Sequence, residues 1–236
     1  LFNEQHSETD RDTHHIEEDA GDADKAGYRH FMLKEIHEQP AAIKRTLEGR
    51  LGKDGVLVEA FGLEAESLFK KADGIYIVAC GTSYHAGMVA KYWLEQLIDI
   101  PVSVEVASEY RYRRIAVPKN TLFVTVSQSG ETADTLAALQ KAKGLGYLGY
   151  LAVCNVVSSS LVRESDILIS TNAGPEIGVA STKAFTTQLV AFLLMTFAIA
   201  KAKGLTIDVE PVKLFDQLVD LCKQVLGIET IAESTS

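Results

Sequence analysis

The feature that most restricts the fold of this chain is a series of five short apolar runs: GIYIVA at 74–79, PVSVEVA at 101–107, TLFVTV at 121–126, YLAVCN at 150–155 and DILIS at 166–170. Runs of this length, bounded by Gly, Pro or Asp, read as strands. Strands with no polar face belong to a parallel sheet covered by helices on both sides. The intervals supply those helices, over 85–98, the alanine-rich 132–143, about 181–203 and the more amphipathic 212–225. Upstream, Phe31, Met32, Ile36, Ile43 and Leu47 fall at helical spacing, and Pro40 predicts a bend or break near Gln39. The fold class that follows is α/β, a three-layer αβα sandwich with a mainly parallel five-stranded sheet.

The expected organisation is an acidic linker over 1–27, a helical arm over 28–72, an α/β binding domain over 73–210 and a C-terminal helix over 211–236. Of the formal charge of −9, residues 1–27 hold nine acids against Arg11 and Lys25, so the acidity says little about what the main domain binds. His14 and His15 lie among those acids, but no scaffold there points to metal geometry. The YRYRR strip at 110–114 reads as a solvated surface or subunit contact. With no wider basic field or reading motif beside it, nucleic acid is not expected as a partner.

Three widely spaced cysteines, Cys80, Cys154 and Cys222, do not make a disulfide framework and suit a reducing, cytoplasmic setting. The apolar stretch at 189–200 falls short of the roughly 20 residues that cross a bilayer and reads as a buried helix, so no membrane partner is expected. No signal segment opens the chain, and Leu1 in place of an initiator Met suggests that the natural protein continues upstream.

Ligands of open parallel sheets occupy crevices at the carboxyl ends of the strands. Three polar segments stand there: CGTSYHAG at 80–87, SQSGETADT at 127–135 and the run 171–182. In SQSGET, Ser127, Ser129 and Thr132 offer hydroxyls, Gly130 admits close backbone approach, and a helix beginning near Thr132 aims free amides at the same space. That is anion chemistry without Lys or Arg, and the alternative is a Ser/Thr-rich turn with no ligand. Thr82 and Ser83 repeat the arrangement after another strand. Cys80 reads as structural rather than nucleophilic, and His85 carries no established acid–base role. In the third segment, Ser181 or Thr182 is expected to cap the next helix, and Glu176 and Lys183 remain open between chemistry and a structural ion pair. With neither GxxxxGK[ST] nor GxGxxG present, and no HExxH or compact Cys/His cluster, a metal-free sugar-phosphate site without cofactor is the simplest reading.

Taken together, CGTSYHAGMVAKYW, SQSGETADTL, NVVSSSLVRESD and GPEIGVASTKAFTTQ resemble the first sugar-isomerase (SIS) subdomain of the glutamine–fructose-6-phosphate aminotransferase family. DAGDADKAGYRHFMLKEIHEQP at 19–40 is similar to that family's segment between glutaminase and isomerase domains. The resemblance implies an SIS-type fold. It also implies binding of fructose 6-phosphate or glucosamine 6-phosphate by Thr82, Ser83, Ser127, Gln128, Ser129 and Thr132, with Val179 and Ser181 near the sugar. It further implies a homodimer, and a parent enzyme making glucosamine 6-phosphate and glutamate from fructose 6-phosphate and glutamine. The glutaminase domain and second SIS domain find no counterpart in these residues. No catalytic residue is placed on this chain, which is therefore expected to be inactive alone. The alternatives are a noncatalytic sugar-phosphate-sensing module and a phosphosugar isomerase for another sugar.

Overall fold

The computed structural model describes residues 24–234, with side chains through residue 228. The acidic segment through Asp22, with His14 and His15, lies outside the described residues. Five strands, β3 (Gly74–Ala79), β4 (Val102–Val106), β5 (Thr121–Ser127), β6 (Gly149–Cys154) and β7 (Ile167–Ser170), form one sheet in the order β4-β3-β5-β6-β7. Every neighbouring pair is parallel. β3 and β5 are buried along their whole length, as runs with no polar face require.

Alternation along β3 separates two cores. Ile75, Ile77 and Ala79 point into a cluster shared with α3 (Gly81–Ile98) and α7 (Lys183–Lys203), while Tyr76 and Val78 point into one shared with α5 (Ala133–Ala142). The larger core also takes α1 (Phe31–Leu47), α2 (Ala65–Lys71) and α8 (Pro211–Ser234). Short helices α4 (Ala107–Tyr110) and α6 (Ser160–Arg163), a 3-10 turn at Val58–Phe61 and a small antiparallel hairpin of β1 (Leu51–Gly52) and β2 (Gly55–Val56) complete the elements among the described residues. In length and composition α7 resembles a membrane span, yet most of it is buried against α1, α2 and α3. It is the central helix of the larger core, as the apolar stretch at 189–200 implied.

Three expectations change. The helix after β3 begins at Gly81, not near 85, which places Thr82 and Ser83 in its first turn. The last helix runs on to Ser234, beyond the expected 225. No break occurs at Pro40, and α1 continues through it. Proline leaves the carbonyl four residues back without its helical N–H. Here the Gln39 side chain supplies a substitute, its Nε2 donating to the Ile36 carbonyl at 3.0 Å. A neighbouring side chain thus replaces the hydrogen bond that Pro40 removes.

Candidate functional site

β3 and β5 run side by side with Ala79 opposite Val126, so the two strands reach the carboxyl edge of the sheet together, one at Cys80 and the other at Ser127. From there the chain departs to opposite faces, through α3 into the larger core and through α5 into the smaller one. Such a switch point opens a crevice between diverging loops, and both helices direct their N-termini into it. Neither N-cap residue, Cys80 or Thr132, makes a side-chain capping bond. The first-turn amides of both helices thus remain available to an anion.

The loop at 127–132 is built from contacts a few residues long. The Gly130 N–H donates to Ser127 Oγ at 3.0 Å, the Glu131 N–H donates to Ser129 Oγ at 3.2 Å, and Ser127 Oγ lies 3.1 Å from Thr132 Oγ1. A hydroxyl that accepts from the scaffold keeps its own hydrogen to donate. Ser129 therefore has one to offer, and the Ser127–Thr132 pair retains one whichever member donates to the other. Gly130 sits at φ +67°, and a Cβ there would stand 2.0 Å from Ser159 Oγ. Only glycine fits both the turn and the neighbour.

Glu131 would repel an anion if it faced the crevice. Instead its Oε1 accepts the Ser160 N–H at 2.7 Å. That backbone bond, with the Ser160 side chain, holds the carboxyl below its usual range despite its exposure. Cys154 beneath the loop is buried, its Sγ 3.6 Å from Ser159 Oγ, and burial pushes its thiol up. Its place is structural, since a protonated, enclosed thiol is neither a nucleophile nor a ligand.

Across the crevice, Ser83 repeats this pattern over a long range. Gln188, 105 residues away on α7, donates Nε2 to Ser83 Oγ at 3.0 Å, leaving the Ser83 hydrogen for a ligand. Thr82 is exposed beside it, and Gln128 is half-buried on the opposing loop. Among the described residues, Gln188 Oε1 and Thr135 Oγ1 are the two buried side-chain polar atoms without a partner. Both belong to helices that begin at this edge of the sheet. The Ser83–Gln188 pair gave no sequence signal, because nothing local connects positions 83 and 188.

The third segment carries the chain from edge strand β7 back to α7, beside α3. Val179 is fully exposed, and Ser181 Oγ lies 3.1 Å from Glu176 Oε2. Contrary to expectation, Thr182 occupies the N-cap position but makes no side-chain capping bond, and Ser181 does not serve as the cap. Glu176 does that work, its Oε1 accepting the Thr182 N–H at 2.8 Å and the Ala184 N–H at 3.1 Å, because a carboxylate held in the preceding turn matches the positive end of the helix. Nor do Glu176 and Lys183 pair. Lys183, 4% exposed, meets Glu38 of α1 at 2.6 Å. The structure thus sets Thr82, Ser83 and the 127–132 loop at one crevice and fixes Ser181 at the start of the helix that carries Gln188.

Residues 68–198 match the SIS domain family. The chain is 64% identical over 204 residues to glutamine–fructose-6-phosphate aminotransferase (isomerizing) of Pseudomonas putida, covering 86% of this chain and 33% of that protein. The Legionella pneumophila (strain Lens) enzyme of the same name is 55% identical over 224 residues, covering 95% of this chain and 37% of its own length. The chain therefore spans about a third of the length of these curated relatives. Among solved structures, the C-terminal domain of glucosamine-fructose-6-phosphate aminotransferase from Francisella tularensis superposes with a TM-score of 0.84 at 51% identity, covering 90% of this chain and 59% of that one.

Proposed function

Because the chain belongs to the SIS domain family, we propose that its switch-point crevice binds the phosphate of fructose 6-phosphate or glucosamine 6-phosphate, as part of an isomerizing glutamine–fructose-6-phosphate aminotransferase. The observation that carries this reading is the set of spare hydroxyl hydrogens on Ser83, Ser129 and the Ser127–Thr132 pair, facing two uncapped helix N-termini. Donors of this kind satisfy a phosphate's oxygens from many directions without a counter-charge. Thr82 and Gln128 flank them, and Val179 and Ser181 take the sugar side.

In this reading residues 73–210 are the binding domain, 28–72 its helical arm, 1–27 the linker and 211–236 the connection toward a second SIS domain. Glutamine hydrolysis and the acid–base steps of isomerisation belong to the glutaminase and second SIS domains of the whole enzyme, which works as a homodimer in the cytoplasm. The whole enzyme converts fructose 6-phosphate and glutamine to glucosamine 6-phosphate and glutamate. Holding a substrate lowers no barrier unless groups also act on the transition state. The 236-residue chain is accordingly a binding half and not a catalyst.

Two measurements test this. Calorimetric titration of the chain with fructose 6-phosphate is expected to show saturable binding that S129A weakens by about tenfold, the cost of one hydrogen bond to a charged group. Incubation with fructose 6-phosphate and ammonia is expected to yield no glucosamine 6-phosphate. An affinity unchanged by S129A would contradict the assignment of the phosphate to this loop, and product formation would contradict the division of labour.

A further inference from the structure

The segment at 171–182 has no regular secondary structure, yet it is tied down along its length, and most of the ties come from α1. Thr46 Oγ1 donates to the Thr171 carbonyl, and the Arg45 guanidinium donates to the carbonyls of Asn172 at 3.1 Å and Ala173 at 3.0 Å. Asn155, after β6, takes the Ala173 N–H at 2.7 Å and gives Nδ2 to the Gly174 carbonyl at 2.9 Å. About two helical turns of α1 further back, Glu38 holds Lys183. Near the start of α1, Glu35 Oε1 accepts the N–H groups of Ile177 at 2.6 Å and Gly178 at 3.0 Å.

Glu35 is 2% exposed. A buried carboxylate is costly unless its oxygens are satisfied, and here two backbone amides 142 and 143 residues away satisfy it. The fit leaves no slack, because a Cβ on Gly178 would come within 2.5 Å of Glu35 Oε2. Immediately after these two amides the chain turns out to fully exposed Val179 and on to Ser181. The conformation that presents these residues is thus fixed by a side chain on a helix outside the sheet.

We infer that Glu35 is a positioning residue that sets the shape of the 176–181 turn and, through it, the preference of the site for a sugar phosphate over phosphate alone. The inference rests on the sugar-phosphate reading above and adds a residue that touches no ligand.

The test compares the chain with its E35Q and G178A variants, titrating each with fructose 6-phosphate and with inorganic phosphate while following amide hydrogen exchange at Ile177 and Gly178. E35Q keeps volume but weakens both charge-assisted bonds. G178A leaves Glu35 intact and displaces its carboxylate, so it serves if E35Q does not fold. The expected result is faster exchange at both amides and about a tenfold loss of affinity for fructose 6-phosphate, with phosphate affinity unchanged. A wild-type chain that prefers the sugar phosphate, with variants that keep that preference, would overturn this proposal alone. So would a variant that loses both ligands equally. A wild-type chain that binds neither ligand would overturn the sugar-phosphate reading and this proposal with it.

Discussion

The two loops that flank the crevice are made in opposite ways. The 127–132 loop bonds each of its hydroxyls to an amide or hydroxyl no more than five residues away, and its outside ties run to the single neighbouring stretch 154–161, through Glu131 to the Ser160 N–H and through the Gly130 carbonyl to the Leu161 N–H. The 171–182 segment has one internal device, the Glu176 cap, and otherwise takes its shape from α1, more than 120 residues upstream, and from Asn155. A loop built from local bonds keeps its geometry when its surroundings move. One built from distant bonds reports what the distant element does. The first arrangement suits a phosphate, which is the same in every sugar ester, and the second suits the part of a ligand that must be discriminated.

The strongest way to break this comparison is G130A. The substitution forces a side chain into a left-handed conformation and against Ser159 and Cys154, with contacts of 2.0, 2.4 and 2.8 Å. Overpacking and backbone strain together are expected to cost about 3 kcal/mol, read by urea denaturation, and to abolish phosphate binding. Retained binding would mean that the loop is not the rigid partner. Next in size, E38Q leaves the Lys183 ammonium buried without its nearest carboxylate. Its expected cost is also about 3 kcal/mol at most, because Glu38 itself is partly exposed. Hydrogen exchange should localise the damage to the start of α7 and spare 127–132. Equal loosening of both loops would erase the distinction between them.

A smaller effect sharpens the account of the first loop. S127A and T132V each remove one member of a hydroxyl pair and should lower phosphate affinity several-fold, while stability changes by about 1 kcal/mol or less. The smallest effect concerns Glu131. Because its folded carboxyl titrates below the ordinary glutamate value of about 4.3, its contribution is present above that value and fades as pH falls through the lower folded one. The Ser160 amide resonance should shift in that acid window, and E131Q should remove the shift.

The same contrast explains what could be read from the sequence. The five strands, their parallel pairing and the hydroxyl-rich loop at 127–132 were legible because each is written in consecutive residues: an apolar run, then SQSGET, then a helix. Spacing alone also hid nothing about α7, whose apolar length fitted a core helix. What escaped was every contact made across the chain. Pro40 looked like a break because its remedy, Gln39, is recognisable only once the helix exists. Glu176 and Lys183 looked like possible partners because they are close in sequence, whereas burial gave Lys183 to Glu38. Glu35 did leave a trace: it falls seven residues before Ala42 and eight before Ile43, on the buried face of α1, where a carboxylate has no business without a partner. The partner itself is a pair of backbone amides, which no residue type announces.

The measurement that bears most directly on the central claim is a 15N–1H titration of the chain with fructose 6-phosphate, glucosamine 6-phosphate and inorganic phosphate. The account predicts saturable shifts concentrated at residues 82–83 and 127–132 with all three ligands, and additional shifts near 179–181 with the two sugar phosphates only. No localised change at concentrations well into the millimolar range, or changes confined to surfaces away from the β3–β5 crevice, would contradict it.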